Sequence, residues 1–300
     1  MIKEVVTDSK KISRKIDILL WKKGFSGGDG IKMAIASRAF ANFLLNNPFP
    51  QLRCIQLTSA GFEGVDTQLA KERGITICNA ADVYNVGMAE FVVYGMLMRA
   101  KRYNQSIKNR WLRPFRNYHY ITELAGKTVG VLGVGNIGQQ VAKRLEAFDM
   151  HVLGYDLRTD DRPNFEKVYN MDSLGVFLSK CDYIVNCIPL FPSTEGLLNK
   201  SWFDLMKKDV TIINVGRKRI IDNADLITFL KENKEATAIL DMFEKIPNPI
   251  TNPYRRLSNV LVLPGVTAIS QEIDVKLENL CKENIRLFEE GKPLLNVINK

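Results

Sequence analysis

The residues with the most specific chemical pattern in this 300-residue chain are three glycines, Gly133, Gly135 and Gly138, and an acid eighteen positions further on, Asp156. Glycines at this spacing, between an apolar strand and a helix, make a pyrophosphate cradle. The first permits the tight turn, the second lets the phosphates approach the backbone, and the third lets helix and strand pack closely. The phosphates then rest on the unpaired N–H groups and positive end of the helix. An acid ending the following strand accepts hydrogen bonds from ribose hydroxyls and repels a 2′-phosphate. Gly133, Gly135, Asn136, Ile137, Gly138 and Asp156 therefore read as a dinucleotide site that favours NAD over NADP, while Arg158 pulls the other way.

These residues need particular elements to place them, and the sequence supplies them in order. Thr128–Leu132 is a β-branched apolar run bounded by glycine, as in a buried parallel strand. Gln139 to Phe148 carries Val141, Ala142, Leu145 and Phe148 at helical spacing, and His151–Tyr155 is a second apolar strand ending on Asp156. Further strands are expected at 183–187, 210–215, 237–240 and 260–263, and helices at 171–180, 201–206 and 223–232. Counted from Thr128, that makes six strands, a complete doubly wound sheet.

The first hundred residues alternate in the same way. Strands are expected at 16–21, 32–36, 53–57 and 75–78, and helices at 39–45 and 65–73, the second closed by Gly74. The glycine-rich stretch 24–30 is a loop without a phosphate signature. Val86–Tyr103 reads as a long helix leading out of this unit, and Asn104–Leu124, with Trp111 and Pro114, as a basic connection. The amphipathic stretch 270–291 is one helix more than the second sheet can use, so it is expected to cross back to the first unit. The fold class is α/β with two Rossmann-like domains: a discontinuous one at 1–98 and 272–300, and a dinucleotide-binding one at 99–271.

Composition agrees with this outline. Three hundred residues, 46% of them hydrophobic, are enough for two cores. No apolar run reaches the length of a membrane span and Met1-Ile2-Lys3-Glu4 lacks a signal-peptide pattern, so a soluble, cytoplasmic protein with no membrane partner is expected. Five scattered cysteines (54, 78, 181, 187 and 281) read as buried, reduced thiols. With only two histidines, no metal site is expected. The net charge of +9, from 42 basic and 33 acidic residues, is spread along the chain and suits anionic small molecules rather than nucleic acid.

Several separate motifs give the chain a resemblance, over nearly its whole length, to the D-isomer-specific 2-hydroxyacid dehydrogenases, the family of phosphoglycerate and glycerate dehydrogenases. Leu57 through Asp66 resembles the loop whose backbone amides, at Ser59, Ala60 and Gly61, hold the substrate carboxylate. Asn79 to Glu90 is similar to the entry into the first crossing helix. Asn186-Cys187-Ile188-Pro189-Leu190 through Thr194 resembles the loop beneath the nicotinamide ribose. Asn214-Val215-Gly216-Arg217 resembles the segment carrying the catalytic arginine, and Leu240-Asp241-Met242-Phe243 the strand end whose aspartate contacts the nicotinamide amide.

The resemblance implies a smaller flavodoxin-like substrate domain, a cleft that closes over cofactor and substrate, and a homodimer in contact through the helix at 86–103. It also implies hydride exchange between NAD and a small 2-hydroxy or 2-keto acid. Arg217 would fix the carboxylate and polarise the carbonyl, since an arginine fork matches a carboxylate bidentately. The family's proton-transfer partners are replaced: its glutamate position is Ile246, before Pro247, and its histidine position is Gly265, after Pro264. Three readings follow. Another group or water supplies the proton, with His119, Glu244 and Tyr254 as candidates; the protein runs a nicotinamide reaction that needs no histidine; or it binds NAD(H) as a sensor without turnover.

Overall fold

The computed structural model describes residues 2–21, 28–103, 121–241, 252–262 and 265–299. The chain divides into two compact units, Met1–Tyr84 with Ser270–Lys300 and Asn85–Ile269. Both are parallel sheets covered by helices on two faces, as the alternation of strands and helices requires.

The first unit has five parallel strands, β1 (Ile2–Thr7), β2 (Ile18–Leu20), β3 (Met33–Ala36), β4 (Cys54–Leu57) and β5 (Thr76–Cys78), in the order β2-β1-β3-β4-β5. This is the flavodoxin-like order. Successive residues on a strand point to opposite faces, so one sheet supports two cores. Val6, Ala34, Ala36, Ile55 and Leu57 pack with Phe40 and Leu44 of α2 (Arg38–Leu45). Val5, Met33, Ile35 and Cys54 pack with Ile12 and Ile16 of α1 (Lys10–Ile16) and with Cys281 and Ile285 of the last helix (Ile273–Glu289). Side-chain caps start the short helices: Ser9 accepts from Ile12 N–H, Ser37 from Phe40 N–H, and Asp66 from Leu69 N–H at the head of α3 (Thr67–Glu72). The strand expected over 16–21 is in fact the end of α1, stopped by Asp17 in a left-handed conformation, followed by β2. β1, interrupted by the charges Lys3 and Glu4, escapes the apolar pattern although it sits inside the sheet.

A long helix, α4 (Ala81–Ala100), carries the chain from the first unit into the second. It begins earlier than its apolar run suggests because Asn79 caps it, accepting from Ala81 N–H at 3.2 Å. Gly95 lets it lie close to the sheet: a Cβ there would stand 3.1 Å from Ile239.

The second unit has β6 (Thr128–Leu132), β7 (His151–Tyr155), β8 (Lys167–Tyr169), β9 (Tyr183–Asn186), β10 (Thr211–Asn214), β11 (Thr237–Leu240) and β12 (Val260–Val262). Their order is β12-β11-β10-β9-β6-β7-β8, all parallel, with the switch point between β6 and β9. Seven strands replace the expected six. The addition, β8, is a three-residue edge strand paired to β7 from Leu153↔Lys167 to Tyr155↔Tyr169, too short to show a period in sequence. The helices are α5 (Asn136–Leu145), α6 (Leu174–Lys180), α7 (Lys200–Phe203) and α8 (Asn223–Glu232), and the last helix of the chain, Ile273–Glu289, is α9. Leu132, Phe177, Leu178, Ile184, Trp202, Phe203, Ile212 and Leu226 form a core between the sheet and α6, α7 and α8. Among the described residues no helix is long and apolar enough to cross a membrane. The cysteines are free thiols, four of them buried and Cys187 half-buried.

Candidate dinucleotide and carboxylate sites

Ligands of doubly wound sheets sit outside the carboxyl ends of the strands at the switch point. There β6 ends and the glycine turn begins. Gly133 has φ +86°, a conformation costly to any residue with a Cβ, and a side chain would also press on the backbone of Cys187 at 3.2 Å. A Cβ on Gly138 would collide with the carbonyl oxygen of Gly133, so helix and turn can approach only as glycines. Gly135 precedes α5 with no side-chain cap and with open space around its Cα. The first N–H groups of that ten-residue helix are thus presented to solvent at exposed Gly135 and Asn136, with Ile137 half-buried behind them. Asp156 is oriented against this turn: one carboxylate oxygen accepts from Val134 N–H at 2.8 Å and the other from Arg158 N–H at 3.2 Å. These residues fit a dinucleotide, with a cradle that a Cβ would fill and an acid held at the end of the neighbouring strand.

The loops after β9, β10 and β11 lie next in the sheet, and buried asparagines lace two of them together. Asn186 donates to the Asn214 side chain at 2.8 Å and accepts from Ile188 N–H at 3.1 Å, while Asn214 accepts from Gly216 N–H at 3.2 Å. A Cβ on Gly216 would come within 2.9 Å of the Ile188 carbonyl. Thr194 closes the Cys187–Pro189 loop by donating to the Pro189 carbonyl at 2.8 Å and accepting from Phe191 N–H at 2.8 Å. Val215 donates its N–H to the Asn186 carbonyl at 3.2 Å, and half-buried Arg217 leaves this lacing two residues later. In the sequence Asn186 and Asn214 stand one residue inside the expected strand ends at 187 and 215, each opening one of the loop motifs. Their signal is a polar residue closing an apolar run, which any strand boundary also shows. Asp241, 3% exposed, accepts from Val266 N–H at 2.8 Å and Thr267 N–H at 3.2 Å. Burial pushes its carboxyl above the usual range, against the pull of those N–H groups.

In the first unit, the loop after β4 has an uncommon polarity. The carbonyl of Thr58 accepts from the Tyr84 hydroxyl at 2.8 Å, that of Ser59 from Ala80 N–H at 3.0 Å, that of Ala60 from the Asn79 side chain at 2.8 Å, and that of Gly61 from the Ser59 hydroxyl at 2.7 Å. The N–H groups of Ser59, Ala60 and Gly61 donate to no acceptor among the described residues. Consecutive carbonyls tied down and consecutive amides left over make a concentrated donor surface of the kind that binds anions.

Comparison with known proteins agrees with these parts. Residues 91–266 match the family described as D-isomer specific 2-hydroxyacid dehydrogenase, NAD binding domain. The chain belongs to this family. It is 33% identical over 260 residues to a glyoxylate reductase of Thermofilum pendens, an alignment covering 84% of this chain and 76% of that protein. It is 34% identical over 260 residues to the D-3-phosphoglycerate dehydrogenase of Methanocaldococcus jannaschii, covering 83% of this chain but 48% of that protein, so it spans about half the length of that relative. In fold it is similar to a D-isomer specific 2-hydroxyacid dehydrogenase from Xanthobacter autotrophicus Py2 solved with NADPH and MES, with a TM-score of 0.80 at 24% identity over 99% of this chain and 98% of that one.

Family membership gives the proton-transfer positions particular interest. Gly265, at the position where the resemblance places a histidine, has φ +67° and donates its N–H to the Asp241 carbonyl at 2.8 Å. The turn is therefore built for glycine: there is space for a Cβ, but a histidine would be forced into a left-handed conformation. Of the candidate substitutes, Tyr254 is buried and donates its hydroxyl to the Asn223 side chain at 2.7 Å. Burial raises its phenol well above the ordinary tyrosine value, which leaves it in a packing role. Ile246, Glu244 and His119 lie outside the described residues.

Proposed function

We propose that this family member is a nicotinamide-dependent oxidoreductase that interconverts a small 2-hydroxy acid and the corresponding 2-keto acid, using NAD(H) in preference to NADP(H). The observation that carries the reading is the loop Thr58–Gly61, with its carbonyls bound inward and the amides of Ser59, Ala60 and Gly61 left as donors. Such a surface suits a carboxylate, and the chain that presents it also carries a complete dinucleotide cradle.

Residue roles follow from chemistry. The amides at 59–61 bind the carboxylate. Arg217 would add a positive charge that orients the substrate, polarises its carbonyl and favours the developing alkoxide. Gly133, Gly135, Asn136, Ile137 and Gly138 would hold the pyrophosphate and Asp156 the adenosine ribose. Cys187, Ile188, Pro189 and Thr194, with Val215 and Gly216, would line the nicotinamide half, and Asp241 its amide. When bound, the cofactor supplies or accepts the hydride. With isoleucine and glycine at the family's glutamate and histidine positions, the proton comes from water or another side chain, and turnover is slower by the roughly hundred- to ten-thousand-fold that a general acid contributes. NAD is preferred because the Asp156 carboxylate would face the extra phosphate of NADP, although the Xanthobacter neighbour was solved with NADPH.

The test is a paired assay: NADH and NADPH binding by fluorescence, and NADH oxidation with glyoxylate, hydroxypyruvate, pyruvate and longer 2-keto acids. Turnover should vanish in Arg217→Ala with NADH still bound, and Asp156→Ala should lose the preference for NADH. Binding with no turnover of any keto acid would overturn the enzyme reading. It would favour the alternative for which the left-handed turn at Gly265 speaks, an NAD(H)-binding sensor.

We further propose a cytoplasmic homodimer paired through the dinucleotide domains along α4, by analogy with the family. Exposed Tyr94 on this helix, at 49%, is the apolar surface such pairing would cover. A monomer by light scattering at micromolar concentration would refute it.

A further inference from the structure

β4 reads Cys54-Ile55-Gln56-Leu57, and all four residues are buried, so Gln56 places a primary amide where the pattern calls for an apolar side chain. A buried amide is stable only if its donors and acceptor are used. Gln56 donates to the carbonyls of Leu57 at 2.8 Å and Asn79 at 3.0 Å, and accepts from Asn284 at 2.5 Å. Asn284, fully buried on α9, is more than two hundred residues away in sequence. It also pairs with the backbone of Leu295, accepting from its N–H at 2.9 Å and donating to its carbonyl at 3.2 Å. Asn79 completes the chain of contacts. Its own N–H donates to the Asn296 carbonyl at 3.0 Å, and its side chain donates to the carbonyl of Ala60, inside the anion-binding loop. The tail is fastened along β5, with Ile298 N–H donating to the Ile77 carbonyl at 2.9 Å and Asn299 bridging Ile77 N–H and the Ile75 carbonyl, each at 2.8 Å.

We propose that Asn284, Gln56 and Asn79 form an amide relay that fixes the Ser59–Gly61 loop in its anion-binding shape, anchored by the tail at Leu295–Asn299. They are positioning residues for the substrate carboxylate, and the proposal rests on the function proposed above. The relay is a chain of directional bonds from the tail to the Ala60 carbonyl. If one link is lost, the carbonyls behind the loop are free to turn outward, and a carbonyl facing a carboxylate opposes binding. The relay contains no titratable group, so its effect is independent of pH. It lies wholly in the first unit, so it leaves the dinucleotide cradle untouched.

Two variants of the full chain test it. Gln56→Met keeps volume and removes the middle link; Asn79→Ala removes the direct link at a less buried position. In each, KM for the best 2-keto acid should rise about tenfold, the effect of one or two hydrogen bonds. The kcat should change less than about threefold, NADH affinity should be unchanged, and the KM ratio should be flat from about pH 6 to 9. Hydrogen exchange of the 57–62 amides should accelerate while that of β3 stays constant. Folded variants with wild-type KM and wild-type loop exchange would overturn the relay, as would a parallel fall in kcat and NADH affinity, which marks general damage. If the wild type turns over no keto acid, the dehydrogenase reading fails by itself. Loop exchange, with oxamate binding by calorimetry in the same variants, then decides the relay separately: weaker oxamate binding with faster exchange supports it, and unchanged values overturn it.

Discussion

The most informative single residue is Asp241, because its partners and its burial act in opposite directions. Backbone N–H groups, those of Val266 and Thr267 among them, favour the charged form, yet desolvation wins and holds the carboxyl above its usual range. Between the ordinary aspartate value of about 3.9 and that raised value, the folded protein holds a proton that the unfolded chain releases. Folding stability from this group therefore falls as pH rises through the window and is flat above it. Asp241→Asn keeps the oxygen that accepts from Val266 and Thr267 and removes the titration. The variant should be more stable than wild type at neutral pH by thermal unfolding, with the gain disappearing on acidification below the window. If Asp241 also serves the nicotinamide, that gain comes with weaker NADH binding. A variant less stable than wild type at pH 7 would show that the charge itself is needed by the fold. At this scale the sequence was legible where residue types are rare for their context, as at the turn glycines Gly133 and Gly138. It was silent on Gln56, and on which groups Asn79, Asn186 and Asn214 bond inside their motifs, because which backbone groups an amide satisfies is decided by segments far away in the chain.

At the scale of elements, an interior strand of the dinucleotide sheet shows how tightly identity is set by packing. β6 carries Gly130, where a Cβ would stand 2.6 Å from both the Cys181 sulfur and the Phe177 ring, and 3.1 Å from Ile184. Neighbours on a strand and a helix that are themselves fully buried cannot retreat far, so the added methyl forces overpacking. Gly130→Ala should cost about 1–3 kcal/mol by denaturant unfolding. A loss under about 0.5 kcal/mol would mean that α6 shifts freely to accommodate it. The buried parallel strands were readable because they are long apolar runs punctuated by glycine, and β11 and α8 were placed to the residue at 237–240 and 223–232. β8 was not, since Lys167-Val168-Tyr169 is too short to carry a period. β1 was hidden by its charges, and α1 by running straight into β2 through a single left-handed residue, Asp17. These misses fall where local pattern is weakest and tertiary pairing decides.

For the whole molecule, the division of labour between the units is the feature with a measurable consequence. The buried clusters of the first unit draw on β1–β5, α1, α2, α3 and α9, and that of the second on the strands from β6 to β12 with α6, α7 and α8. Each unit thus has a core of its own, the condition for unfolding on its own. The proposed cofactor residues, from Gly133 to Asp241, all belong to the second unit, while the carboxylate loop and its relay belong to the first. A ligand stabilises only the cooperative body that binds it, by about 2.7 kcal/mol at a concentration one hundred times its Kd. For a domain of this size, that is a shift of roughly 5–10 °C in Tm. Calorimetry with NADH alone should therefore raise one transition and leave the other in place, and Asp156→Ala should remove the rise. Adding oxamate with NADH should move the second transition as well, because the proposed carboxylate loop is in the first unit. A single transition that NADH shifts as a whole would refute independent units and show the protein to be one cooperative body, in which the first unit senses the cofactor even without substrate.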